Sequence, residues 1–427
     1  MRFAVAALAL ALPLLAEPNW PQWRGANAAG ISDSTRLPVK WSATENIAWK
    51  ADVPGRGHSQ PVVWKDRIFL TTDIEGDKIS DYKEIVHMAG KEKFVHPDWT
   101  GADVQHTLKV LCFDASTGKQ VWERTAYTGK ATDYRHRRNT YASPTPVTDG
   151  RAIYVYFESM GVYAYDFSGK QLWTRSFGPI ASMGMGPGTS PVLVGDLVII
   201  QADQDEGDKS FIVALSKKDG KEVWRKPRPV QASWATPLLY NGQLIASGNE
   251  KIIAYDPKTG AELWSVPGLD SHAINSPVPG EGMVVISSGF PSKRTFGIKP
   301  DAPASDRVMW KYEKGTAYVP SPILYRGLLY LMTDKGLITC LDPKTGNVIY
   351  EGKRIPAPAT FMASPVAADG KLFITSQDGD TFVIKAGPEH EVLGTNQLGE
   401  PVISSMALTD DSIYIRAEKH LYKVKQL

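Results

Sequence analysis

Apolar and polar residues alternate along the chain in short runs that end at turn residues, the period-two signature of half-buried strands. One such segment recurs: Val110 to Trp122, Val162 to Trp173, Ile212 to Trp224 and Ile252 to Trp264, with a degenerate copy from Ile338 to Tyr350. Each copy predicts a strand, a tight turn carrying Asp, Thr and Gly, and a second strand ending in an aromatic, which is a hairpin. A second motif precedes the first: a small residue, usually Pro, a β-rich run, a polar turn and another β-rich run. It begins at Gln60-Pro61, Ser143-Pro144, Ser190-Pro191, Thr236-Pro237, Ser276-Pro277, Ser321-Pro322, Ser364-Pro365 and Ser405-Met406. Counted from Pro61, the intervals are 83, 47, 46, 40, 45, 43 and 41 residues, so eight units of four strands follow.

Four antiparallel strands per unit at this period predict an all-β chain folded as an eight-bladed β-propeller, in which radial blades protect one another's edges. The last unit lacks its aromatic-bearing outer strand. A matching strand, Asn46 to Lys50 with Trp49, lies near the N-terminus and is expected to close the ring. Residues 17–427 are then a single propeller, with residues 73–106 as a loop inserted in the first blade. Trp49, Trp122, Trp173, Trp224, Trp264 and Trp310 follow the repeat and are expected to pack blades together.

Residues 1–16 read as a cleaved signal peptide: Met1-Arg2, an apolar run from Phe3 to Leu15 too short to span a bilayer, and Ala16 before a polar stretch. The protein is therefore expected to be periplasmic or secreted, with no transmembrane segment and, lacking a cysteine after the apolar run, not a lipoprotein. The 48 Lys and Arg against 46 Asp and Glu leave a formal charge of +2, which argues against a nucleic-acid partner. The two cysteines, Cys112 and Cys340, hold the repeat position taken elsewhere by Ala164, Ala214 and Ala254, and read as small buried packers.

The Ala-x-Asp-x-x-Thr-Gly-Lys-x-x-Trp pattern resembles the tryptophan-docking repeat of pyrroloquinoline-quinone (PQQ) propellers. Residues Trp20 to Gly25, Gly30 to Ser32 and Asn139 to Ser143 resemble the exported PQQ-binding-like repeat proteins. The resemblance implies the fold. It leaves activity open, because quinoprotein dehydrogenases and the non-enzymatic outer-membrane assembly factor BamB share the repeat.

Turns between first and second strands, and between third and fourth, fall on one propeller face and are short, apart from the stretch after Gly297 in the fifth unit. The other face collects long loops, where binding usually resides. The residues before each first strand are expected to ring the channel mouth there: Arg56, His58, His136, Arg137, Asn139, Tyr141, Trp234, His272, Asn275, Tyr318 and Phe361. They mix aromatic with polar side chains and suit a planar or sugar-like ligand or a protein partner. The run Arg135 to Arg138 offers contacts to an anion, against a solvated loop as the plain reading. The acidic stretch Asp203 to Asp208 lacks calcium-loop spacing and reads as a solvated turn. His87, His96 and His106, spaced 9 and 10 residues apart, match no compact zinc template, and no metal or catalytic residue is assigned.

The favoured function is a non-catalytic binding or scaffold propeller of the cell envelope, holding an envelope protein or a small or saccharide ligand on the long-loop face, with no cofactor. The alternatives are a PQQ-dependent dehydrogenase, which would need PQQ, Ca²⁺, a Trp floor, a disulfide ring and an Asp base, and a propeller enzyme acting on polysaccharide. Trp234 could be such a floor. The vicinal cysteine pair of the alcohol dehydrogenases is missing.

Overall fold

The computed structural model describes residues 19–89, 91–205, 207–270 and 272–427. The expected signal peptide, residues 1–16, lies outside them. Eight four-stranded antiparallel sheets form the blades of a propeller. Blade 1 comprises Val62–Trp64, Arg67–Lys78, Val104–Asp114 and Gln120–Lys130, in that order from the axis outward. Blades 2 to 7 repeat this plan, with first strands that start at Val147, Val192, Leu238, Val278, Ile323 and Val366. Blade 8 takes Ala407–Leu408, Ser412–Arg416 and His420–Lys425 from the C-terminal end and Ile47–Asp52 from the N-terminal end, Trp49 lying opposite Lys423. The ring is closed by the N-terminal strand, as the repeat count requires. No helix among the described residues is long and apolar enough to cross a membrane.

The repeated motif explains how blades adhere. The outer strand is mostly exposed and turns one aromatic inward, as in Gln171–Arg175 where only Trp173 is buried. In blades 1 to 6 that aromatic faces a small residue on the third strand: Trp122 opposite Cys112, Trp173 opposite Ala164, Trp224 opposite Ala214, Trp264 opposite Ala254, Trp310 opposite Gly297 and Tyr350 opposite Cys340. The ring then reaches into the next blade's turn. Indole N–H groups of Trp49, Trp122, Trp173, Trp224 and Trp310 donate to the carbonyls of Ala115, Phe167, Lys217, Pro257 and Pro343, at 2.6–3.2 Å. Gly220, at φ 69°, shows why the turn needs glycine: a Cβ there would meet the Trp173 ring at 2.6 Å, and Gly260 repeats this under Trp224. The turn Asp accepts backbone N–H groups two and three residues on, as Asp256 does from Lys258 and Thr259.

Three blades depart from this, and in blade 8 Trp49 faces Lys423. In blade 5 the turn is an excursion containing a single helical turn, Ala304–Asp306, so Trp264 instead donates to Gln243 Oε1 at 2.6 Å under the Arg307 guanidinium. Blade 7 has Gly394 opposite Val383 where other blades carry the aromatic, and Trp41 from the N-terminal segment packs against Phe373 there.

The small residue before each first strand has a separate duty. Backbone N–H groups of Gln60, Thr145, Ser190, Thr236, Ser276, Ser321 and Ser364 donate, blade to blade, to the hydroxyls of Thr145, Ser190, Thr236, Ser276, Ser321, Ser364 and Ser405, at 2.8–3.2 Å. Gln60 Nε2 to the Met406 carbonyl, and Ser404 Oγ to the Ser59 carbonyl, complete the belt. The belt corrects the register of blade 2: its member is Thr145-Pro146 rather than Ser143-Pro144, so the first two intervals become 85 and 45 residues. Two Pro dipeptides stand side by side in the sequence, and only the hydrogen bond distinguishes them.

The insertion in blade 1 is shorter than residues 73–106. Its second and third strands stay paired from Asp73 opposite Leu108 to Lys78 opposite Val104, and the excursion beyond carries a small hairpin, His87–Ala89 with Glu92–Phe94. Alternation simply continues through Thr72 and Asp73, which are buried despite their polarity.

Candidate functional site

The channel is blocked midway by the N-terminal segment. Trp20 exchanges backbone hydrogen bonds with Val63, the Thr148 N–H donates to the Pro21 carbonyl, and Ala367 exchanges two more with Gly30 and Ser32. Arg24 is buried in the axis, its Nη2 donating to the Ala29 and Pro322 carbonyls at 2.9 and 3.0 Å. Trp23 crosses the channel and donates from Nε1 to the belt hydroxyl of Ser276 at 3.0 Å. It lines two cavities, one on each side.

The lower cavity, about 660 Å³, lies toward the short-turn face between the plug, Pro21 to Ala29, and the first strands of blades 2 to 6. Its walls are mainly Pro, Ala, Val and Leu, with Glu281 and Arg326 among few charges. The upper cavity, about 450 Å³, lies among the long loops, and all seven hydroxyl-bearing belt residues from Thr145 to Ser405 line it. Around it stand His58 from blade 1; His136, Arg138 and Asn139 before blade 2; Met185; Trp234; Tyr318 and Asp334 from blade 6; and Thr360 with Met362.

Five of the eleven residues expected at the mouth line this cavity: His58, His136, Asn139, Trp234 and Tyr318. Three stand just behind the rim. Arg56 pairs its backbone with Asp73, and Arg137 places Nε 2.8 Å from Asp98 Oδ1. The His272 ring lies 5.8 Å from Trp234 and 6.3 Å from Phe290, which in turn is 5.2 Å from Tyr318, an aromatic arc with Phe290 51% exposed. The other three belong to the interior. Tyr141 is buried with its hydroxyl donating to the Asp133 carbonyl, Asn275 donates from Nδ2 to the Val319 and Pro320 carbonyls, and Phe361 packs on Phe382. Asn275 and Phe361 each sit between two lining residues of a chain that alternates sides and so face the blade, whereas Tyr141 lies in a turn between the lining residues Asn139 and Ser143. Sequence reading missed Trp23, Arg138 as the member of its basic run that faces the cavity, Asp334 and the belt.

The basic run divides. Arg135 is buried against Glu75, Arg137 pairs with Asp98, and the exposed Arg138 has no carboxylate partner among the described residues. Burial, then the guanidinium groups of Arg416, Arg56 and Arg135, push His58 down to about 3, so it is neutral at ordinary pH. Burial also lowers His136, against the opposing pull of Asp98. Arg138 is thus the cation of the wall. Asp334 stands across the mouth, accepting the N–H of Tyr318 on both oxygens and that of Val319.

A match to the family described as outer membrane protein assembly factor BamB covers residues 106–349 and 208–426, three quarters of the chain. The chain belongs to this family. Among proteins so named, that of Francisella salina is 29% identical over 38% of this chain and 30% of its own length, and that of Burkholderia pseudomallei 26% identical over 68% and 74%. The chain thus spans less than a third of the Francisella relative. Crystal structures share the fold: BamB of Moraxella catarrhalis (TM-score 0.59, 12% identity, 88% of this chain and 99% of that one) and the quinohemoprotein alcohol dehydrogenase of Comamonas testosteroni (0.63, 12%, 95% and 80%).

PQQ does not fit this BamB-family channel. Cys112 and Cys340 are free, buried and in blades 1 and 6, so no disulfide can back the quinone. Asp334 is the one carboxylate among the described lining residues, and backbone N–H groups already engage both of its oxygens, leaving a Ca²⁺ poorly served.

The insertion is clasped to its neighbours. His87 bridges Asp133 (2.6 Å) and Asp205 (3.1 Å), and Trp99 stacks on Tyr134 with Nε1 bonded to the Met183 carbonyl. The acidic stretch is therefore no solvated turn: Asp203 is buried in a two-armed ion pair with Arg228, and Asp205 holds His87. Folding also brings ligand atoms of His96, Asp98 and His136 within 4.8 Å of one another, a cluster invisible in linear spacing. Its Nδ1 atoms accept the N–H groups of Asp98 and Arg138, which puts the protons on Nε2, and Arg137 already neutralises Asp98. As arranged, it is a hydrogen-bonded knot at the rim.

Proposed function

We propose that this BamB-family chain is an exported, non-catalytic propeller serving as a binding or scaffold module in the cell envelope, with its ligand or partner on the long-loop face. The observation that carries the reading is the inequality of the two faces. On one, short turns and the plug are consumed by hydrogen bonds within the fold. On the other, side chains from separate loops converge on an open cavity beside an exposed aromatic arc. Relatives named as assembly factors support the envelope setting, and the quinoprotein alternative rests on fold likeness alone.

The test is a photo-crosslinking amino acid placed in turn at Phe290, on the rim, and at Asp149, on the opposite face, in cells that make the full chain. A discrete adduct from Phe290 and none from Asp149 supports the reading. Adducts equal at both positions, or confined to Asp149, overturn it.

A further inference from the structure

The upper cavity is more specific than a pore filled with water. Its floor is the belt, and each belt hydroxyl already accepts a backbone N–H. None of the seven donates its own proton to a protein acceptor among the described residues, so a ring of hydroxyl donors surrounds the axis. One wall carries a cation, Arg138, whose neighbours Arg135 and Arg137 are spent on Glu75 and Asp98. Blade 6, opposite blade 2 in an eight-membered ring, carries the acceptor Asp334. Between them Trp234 has its ring orientation fixed by the bond from Nε1 to the Gly186 carbonyl at 2.8 Å, and Met185, Ile274 and Met362 complete the apolar part.

A flat apolar face, hydroxyl-matching acceptors and donors, and one isolated cation are the complement of one chemical class. We infer that the upper cavity binds a sugar ring carrying a single anionic substituent, a carboxylate or phosphate. The anionic group lies toward Arg138, the ring face against Trp234, and the sugar hydroxyls are shared between the belt and the lone pair of Asp334 that its three backbone N–H contacts leave free. This deepens the preceding reading and rests on its ligand half. The volume, about 450 Å³, falls in the range of small-molecule sites. A charged group meeting Arg138 beside a low-polarity wall is held more tightly than in open solvent.

Calorimetric titration of the full chain with glucuronate, glucose 6-phosphate and glucose tests the inference and separates carboxylate from phosphate as the source of the anion. At least one anionic sugar should bind saturably and at least about tenfold more tightly than glucose. Arg138→Gln should erase that advantage, weakening the anionic sugar about tenfold to a hundredfold and leaving glucose unchanged, while Arg151→Gln on the opposite face changes neither. Trp234→Phe should weaken all sugars that bind. Melting curves confirm that each variant is folded. No binding by either anionic sugar up to about 10 mM, equal binding of all three, or the same loss from Arg151→Gln as from Arg138→Gln overturns the inference. So does binding of PQQ with Ca²⁺ in place of the sugars. Crosslinks from Phe290 without sugar binding would leave the surface reading standing and sink only this one.

Discussion

Below Trp23 the channel is walled by inner strands and by one continuous segment whose backbone is bonded at Trp20, Pro21, Gly30 and Ser32. Above it, separate loops each contribute a few side chains. The lower cavity is the larger, yet its walls are chiefly small and apolar; the upper is smaller and holds an isolated guanidinium, a carboxylate, three large aromatics and the hydroxyl belt. Volume alone would choose the end whose walls offer fewer polar side chains. A short turn that receives a tryptophan must keep its glycine under the ring, so that face has little freedom to vary, whereas nothing in blade packing restricts the loops opposite.

The most damaging way to break the comparison is to remove residues 19–52. This deletes both the plug and the outer strand of blade 8, exposing an unpaired edge along His420–Lys425. The product should aggregate or lose cooperative unfolding, and a cooperative melt at the parent temperature would show that neither element is needed. Next in size, Trp173→Ala or Trp224→Ala should cost about 3 to 5 kcal/mol in denaturant unfolding, since each empties an interblade site and orphans a carbonyl.

The long-loop face should instead respond to pH. Against the opposing cost of burial, Asp133 and Asp205 raise His87 to about 9, and burial followed by Asp133 raises Glu158 to about 8. Both groups hold their protons more tightly in the folded state. Stability should therefore decline as pH rises, through the Glu158 range from its ordinary 4.5 to about 8 and the His87 range from 6.5 to about 9. The His87 share is on the order of 3 kcal/mol at 1.36 kcal/mol per unit. His87→Gln should flatten the melting-temperature profile above pH 6.5, and an unchanged slope would show that the clasp does not titrate there. At the small end, Arg138→Gln and Arg151→Gln, both at exposed positions, should each move stability by less than about 0.5 kcal/mol, with only the former altering ligand binding.

The legibility of the site follows the same division. Trp234 and Tyr318 could be found because aromatics before a strand are unusual in a repeat whose aromatics otherwise lie elsewhere. Asn275 and Phe361 could not be told apart from them, because one step along the chain reverses the direction of the side chain, and Tyr141 could not because a turn sets its direction. Asp334 escaped notice because it sits in a second-to-third-strand turn that looks ordinary, Thr333 to Gly336. The cluster of His96 and Asp98 with His136 forms only when Trp99–Thr100 pairs with Arg135–His136, a contact between two loops with no periodic signature.

What the sequence determined by itself was everything that recurs. Near-copies of one packing problem, most of them solved by a small residue facing an aromatic with a glycine beneath it, state blade number, strand order and the closing strand, because a local rule repeated around the ring leaves one architecture. What only the tertiary structure decided was everything that occurs once: the plug through the axis, the two-Pro ambiguity in blade 2, the buried Asp203–Arg228 pair and the division of Arg135, Arg137 and Arg138 among three surroundings. Each depends on contacts between segments far apart in the chain, where burial and hydrogen-bond partners are set by the ring and not by the neighbouring residues.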